Sequence, residues 1–220
     1  MQVNSDFSER VVVDTNALTW SPSPTEGVER RMLERDGGEV ARATSIVRYS
    51  PDSSFPAHEH GAGEEFLVLQ GVFADEHGAY PAGTYVRNPI GSSHTPFTEE
   101  GCTIFVKLRQ MTDPAEARLV IDTSAGEWTP LSKDGRQFQQ LYRNQVNGES
   151  VYMARMHPGA APVGENHPFG KELFVVEGTL DDEQGSYPAG TWIRWPMDSR
   201  HTSSSTHGCL LWVKQNPRSQ

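Results

Sequence analysis

The chain has 220 residues, with 19 Lys+Arg against 29 Asp+Glu and a formal net charge of −10. That length holds one large domain or two small ones, each big enough to bury a core. The acidity argues against a nucleic-acid partner, which needs a basic surface for phosphates, and against docking on an anionic membrane. No apolar run approaches the roughly 20 residues of a membrane span. The opening Met1-Gln2-Val3-Asn4-Ser5-Asp6 lacks the basic start and apolar stretch of a signal peptide. Cys102 and Cys209 stand far apart, so no disulfide framework is expected and a cytoplasmic, reducing location fits.

In chain order, the first half offers strand-like runs at 66–70, ending at Gly71, at 84–87, stopping before Pro89, and at 102–107. The second half repeats them at 173–177, 191–194 and 209–214. Turn signals at short spacing separate these runs, which predicts an all-β sandwich or barrel. No segment keeps an amphipathic helical period over three turns, and 20 glycines and 15 prolines would interrupt one.

The likeness of the halves is an internal repeat. Residues 51–107 align without a gap on 158–214, with 23 of 57 positions identical. Tyr80-Pro81-Ala82-Gly83-Thr84 returns as Tyr187-Pro188-Ala189-Gly190-Thr191, Gly71 as Gly178, His94 as His201 and Cys102 as Cys209. Trp20 and Trp128, each followed two residues on by proline, precede the two copies. Two copies of a short solenoid unit could not bury a core, so each copy is read as a domain. The expected boundaries are 1–112 and 113–220, joined at the polar stretch 111–116.

The chemistry concentrates in His58-Glu59-His60-Gly61-Ala62-Gly63-Glu64-Glu65 and in His94. Alternation along a strand puts His58 and His60 on one face. If the strand resumes after the glycine turn, one of the two glutamates returns to that face, and a partner strand could supply His94. Three imidazoles and a carboxylate suit zinc, iron(II), manganese or nickel. In the second copy His58 is replaced by Glu165 and Glu64 by Lys171, whereas His60 persists as His167, His94 as His201 and Glu65 as Glu172. A lysine places a cation where a divalent ion would sit. Glu165, His167 and His201 are the residual candidates there, with Glu172 in reserve. The competing expectation is a structural barrel with Lys171 paired to Glu165.

The order His-x-His-x3-Glu-x6-Gly, then Pro-x-Gly and a later histidine, resembles the cupin superfamily. It stands here as His58, His60, Glu64, Gly71, Pro81-x-Gly83 and His94. The resemblance implies two tandem jelly-roll barrels, the first binding one divalent metal through His58, His60, Glu64 and His94. Spacing to Gly71 selects Glu64, with Glu65 as the fallback because a one-residue shift swaps faces. Residues 63–76, 80–84, 87–89 and 92–94 further resemble the cupin domain of ChrR-type anti-sigma factors. That likeness implies a zinc-binding regulatory or stress-sensing module. A sigma-factor partner is not expected, because the 220 residues contain neither the helical sigma-binding domain nor its His/Cys zinc motif. The same cupin branch includes dioxygenases that cleave small diketones with iron(II), which makes an enzyme the alternative.

Two function classes therefore stand. Four protein ligands fill a tetrahedral zinc shell and leave no place for substrate, as a sensor requires. The same four leave two positions on a six-coordinate iron or manganese, as an oxygenase requires. A small-molecule substrate or signal ligand, and a homodimer, are the partners consistent with either. Cys102 and Cys209 read as small buried strand residues rather than thiol sensors. His77, His157 and His207 read as surface residues. Phe55, Phe66, Tyr85 and Phe97 are candidates for the wall of an apolar pocket or for ordinary core.

Overall fold

The computed structural model describes residues 1–38, 40–131 and 135–215. Among them there is no α-helix. Apart from one 3₁₀ turn at Thr15–Ala17, the regular structure is strand in antiparallel pairs, as the turn-punctuated apolar runs predict. No helix among the described residues is long and apolar enough to cross a membrane.

The strand Glu64–Asp75 is the spine of the first barrel. Its first half pairs on one side with Cys102–Leu108 and on the other with Thr84–Asn88. Cys102–Leu108 then pairs with Ala41–Tyr49, which pairs with Val28–Gly37. The second half of the spine leaves this sheet and pairs with Gly78–Pro81 and with Phe97. The change of sheet falls at Gly71, whose φ is +71°. A Cβ there would lie 2.0 Å from the Gly101 carbonyl oxygen, so the bend that closes the barrel requires glycine. The second barrel repeats the device. Its spine is Lys171–Asp182, and a Cβ on Gly178, at φ +72°, would lie 2.1 Å from the Gly208 carbonyl oxygen. Each barrel has its own core: Phe66, Val68, Phe73, Val86, Ile104 and Val106 in the first, Leu173, Val175, Leu180, Ile193, Leu211 and Val213 in the second.

By compactness the chain forms two units, each of which takes in a short stretch from beyond the sequence boundary at 112/113. The first comprises Met1–Ser5 with Leu18–Ala125, and the second Asp6–Ala17 with Gly126–Gln220. The cause is a second stretch of the repeat, upstream of residue 51: Val11-Val12-Val13-Asp14-Thr15 matches Leu119-Val120-Ile121-Asp122-Thr123. Val11–Asp14 pairs with Thr191–Trp195, and Leu119–Asp122 pairs with Thr84–Asn88. Each repeat therefore donates this strand to the barrel of the other. The anchoring is the same in both. The Thr15 N–H and hydroxyl both donate to the Gly190 carbonyl at 3.0 and 2.6 Å, and those of Thr123 to the Gly83 carbonyl at 3.0 and 2.7 Å. The recurring tryptophans also find equivalent partners: the Arg31 and Arg48 guanidiniums lie 4.1 and 4.3 Å from the Trp20 ring centre, and Arg155 4.4 Å from that of Trp128.

Candidate metal centre

Three separate stretches of the first barrel bring His58, His60, Glu64 and His94 together. The two-residue strand His58–Glu59 pairs with Ser93–His94, which sets His58 directly opposite His94. His60 lies just past that strand. Its N–H donates to the Ser92 carbonyl at 2.8 Å, and its carbonyl accepts from the Gly63 and Gly91 N–H groups, which tie the glycine turn down. The spine then begins at Glu64, opposite Asn88. One donor atom from each of the four side chains lies within 4.8 Å of the others, a grouping able to hold a metal ion. His60, Glu64 and His94 are buried and His58 is half-buried.

Glu65 faces the other way. Its carboxylate accepts from the Tyr85 hydroxyl at 2.6 Å and from Arg87 at 3.0 Å, and Arg87 also reaches Glu116 at 2.6 and 3.0 Å. Alternation along the spine thus separates the two neighbouring acids, one to each face.

The surroundings define how the rings point. His58 Nδ1 lies 3.0 Å from the Pro56 carbonyl, which only accepts. His60 Nδ1 lies 3.0 Å from Ser92 Oγ, whose own hydrogen goes to the Pro89 carbonyl. His94 Nδ1 lies 3.1 Å from the Asp75 carboxylate. This network assigns the ring hydrogen to Nδ1 in all three, which turns three Nε2 lone pairs inward. His60 Nε2 is 3.3 Å from His58 Nε2 and 3.3 Å from Glu64 Oε2, while His94 Nε2 makes no hydrogen bond despite its burial. Four electron-rich atoms facing one another, each fixed from behind, form a cluster that a cation completes. The donor set therefore fits a divalent metal.

Asp75 is a central support. It accepts from Tyr80 at 2.8 Å, from the His77 N–H at 2.8 Å and from Arg118 at 3.3 Å, besides meeting His94. Burial alone would raise its pKa. The hydrogen bonds from His94, Tyr80 and His77, with the Arg118 charge, outweigh burial and hold it down to about 2. Burial keeps the His60 pKa below the ordinary imidazole value, which favours the neutral, ligating form. Glu64 is held by Asn88 Nδ2 at 3.0 Å, and Asn88 by Arg118 at 2.9 Å.

Asp75, Asn88 and Ser92 lie in the stretches that carry the family resemblance but have no role assigned from the sequence, and Arg118 is not singled out at all. The repeated Asp-Glu-x-Gly and the Ser-x-His before each late histidine were the signals for two of them. Arg118 and its counterpart Arg10 are visible only once the 11–15 and 119–123 blocks are aligned.

A cavity of about 350 Å³ borders the cluster, with His58, His60 and Glu64 in its wall. Val28, Val47, Tyr49, Phe55, Ile104 and Val106 supply apolar surface, and Arg30, Arg35 and Arg109 supply positive charge against the carboxylates of Glu59 and Glu64. Of the aromatic candidates only Phe55 lines it, edge-on to His58 with ring centres 5.2 Å apart. Phe66 and Tyr85 are buried and Phe97 is exposed.

The second barrel gathers Glu165, His167 and His201 within the same span, but arranges them differently. Lys171 pairs with Glu165, and Ser203 donates to the same carboxylate. His167 Nε2 meets His201 Nδ1 at 2.8 Å, and the Trp195 ring, at the position of Asn88, stacks on His201 with centres 4.2 Å apart. Glu172 sits at the register of Glu65, opposite Arg194 and away from this cluster. Cys102 and Cys209 are free, buried thiols that burial pushes up to a pKa of about 11. His77, His157 and His207 are exposed.

Two jelly-roll barrels in one chain, the first enclosing a His3Glu cluster, define a bicupin. The chain belongs to the ChrR cupin-like domain family, whose model matches residues 8–112 and again 116–219. No curated protein sequence matches it significantly. Among solved structures it is similar to a proposed dioxygenase from Nostoc punctiforme PCC 73102, at 16% identity and TM-score 0.79, covering 97% of this chain and 85% of that one. It is similar to protein YlbA from E. coli at 16% identity and TM-score 0.73, covering 98% and 94%. The Escherichia coli pirin YhhW, solved with nickel(II), matches at 9% identity and TM-score 0.70, covering 96% and 100%. At these identities the likeness shows the fold.

Proposed function

We propose that His58, His60, Glu64 and His94 hold one divalent metal ion, and that the first barrel is a metalloenzyme site of the dioxygenase type. Its substrate class is a small, oxygen-rich organic molecule such as a diketone. The observation that carries this reading is the cavity beside the ligand atoms, since a sealed structural zinc site needs no substrate-sized space. Bound iron(II), or manganese or nickel in its place, supplies Lewis-acid and redox chemistry toward oxygen. The chain's own residues do the positioning. Pro56, Ser92 and Asp75 hold the three rings, Asn88 holds the carboxylate, the apolar wall excludes water, and the three arginines draw in negatively charged or enolised substrate.

The test is oxygen uptake by protein reconstituted anaerobically with iron(II), screened over diketones and related small oxygenated compounds. Uptake that disappears in His94→Ala is expected. Absence of turnover with any of the three metals, in protein that retains one ion per chain, overturns the enzyme reading. The second reading is a zinc-holding, stress-sensing module, favoured by the description of the matching family model. It predicts zinc retained through purification, without turnover.

A further inference from the structure

The second barrel has a cavity of about 300 Å³ of its own. Leu173, Leu180, Leu211 and Val213 give it an apolar wall. Among the described lining residues the charged groups are Arg136, Arg155 and Lys171 against the single carboxylate of Glu165. Lys171 is 5% exposed and His201 4% exposed. Positive charge in excess beside an apolar wall, with Lys171 and His201 themselves withdrawn from water, favours an anion.

Lys171 occupies the register of Glu64. In the first barrel the cluster awaits a cation; in the second the chain supplies one. The Lys171 ammonium engages the Glu165 carboxylate, and the His167–His201 hydrogen bond uses two of the ring nitrogens a metal would need. His201 Nε2 faces the Glu165 carboxylate at 4.0 Å, which assigns its ring hydrogen to Nε2 and leaves His201 Nδ1 to accept from His167 Nε2. His201 Nε2 is buried, makes no hydrogen bond and belongs to a residue in the cavity wall. A buried donor that Glu165, 4.0 Å away, stands too far off to satisfy, beside a buried ammonium, is half of a carboxylate site.

We propose that the second barrel is a metal-independent binding site for a small organic monoanion. The carboxylate is received by Lys171 and His201 Nε2, and a compact apolar body lies against the leucines. This does not rest on the first-barrel reading, and it is tested without metal.

The experiment uses the full chain stripped with chelator, both as wild type and as His94→Ala. It is titrated calorimetrically with 4-methylpentanoate and benzoate and, in parallel, with the neutral amides of the same acids. One carboxylate per chain, bound at least tenfold tighter than its amide in both proteins, is expected. Lys171→Met/Glu165→Gln removes the ion pair as a unit, leaving no buried charge alone, and should weaken carboxylate binding at least tenfold while the protein still unfolds cooperatively. Equal binding of acid and amide overturns the proposal. So does no binding of any probe by folded protein, or binding lost in His94→Ala.

Discussion

Asp75→Asn removes one charge from behind His94 and leaves the shape of the side chain intact. The native carboxylate is held at about 2 against an ordinary 3.8, because it meets His94, Tyr80, the His77 N–H and Arg118. A depression of that size corresponds to about 2 kcal/mol of stability. Since the folded pKa is the lower one, the stabilisation is complete above the ordinary carboxylate range and is lost as pH falls from about 4 through about 2. The variant forfeits it at neutral pH. Asparagine also brings an amide that donates where Tyr80 and Arg118 already donate, and it withdraws the charge behind the His94 ring. Loss of such a ligand support typically costs 10–100-fold in metal affinity. The assay pairs urea unfolding of metal-free protein with chelator competition for zinc. Expected are a loss of about 2 kcal/mol at pH 7 that shrinks toward pH 2, and at least tenfold weaker zinc. Asp182→Asn is the control: its carboxylate meets Arg10 and Tyr187 in the second barrel, so zinc affinity should not move. Zinc affinity within twofold of wild type in Asp75→Asn would refute the reasoning.

Gly71→Ala should destabilise by about 3 kcal/mol or prevent folding, since a positive φ and a collision with the Gly101 carbonyl combine; chemical denaturation reads it. Glu65→Gln should cost about 1–3 kcal/mol by weakening the buried hold on Arg87 yet leave metal content unchanged, whereas Glu64→Gln should lower metal content. Cys102 and Cys209, with thiols near 11, should stay unreacted with a thiol reagent at pH 8 in native protein and react fully once it is unfolded.

The barrels were legible because their signals are local. Period-two apolar runs, glycine and proline turns and a gapless repeat each follow from short-range chemistry. The cluster was legible because His58, Glu64 and His94 keep their spacing to Gly71 and to the Pro-x-Gly turn. The choice of Glu64 over Glu65 depended on where the glycine turn hands the chain back to the spine, which the alternation of faces alone leaves open. The exchanged strands were not legible. Val11–Asp14 and Leu119–Asp122 are four-residue, half-exposed strands, and nothing in such a segment specifies which edge it joins. That choice is made by tertiary closure, and it carries Arg118 to Asp75 and Arg10 to Asp182. The cavities were equally hidden, because space between side chains has no signature along the chain.

The account turns on whether four side chains from separate stretches of the first barrel share one ion. Elemental analysis of untagged protein, purified without chelator, should be run beside His58→Ala, His94→Ala and His167→Ala. One metal per chain in the wild type and in His167→Ala, and none in the other two, is the predicted result. Metal retained in His94→Ala, or a wild type that binds none when divalent ions are supplied, would contradict it.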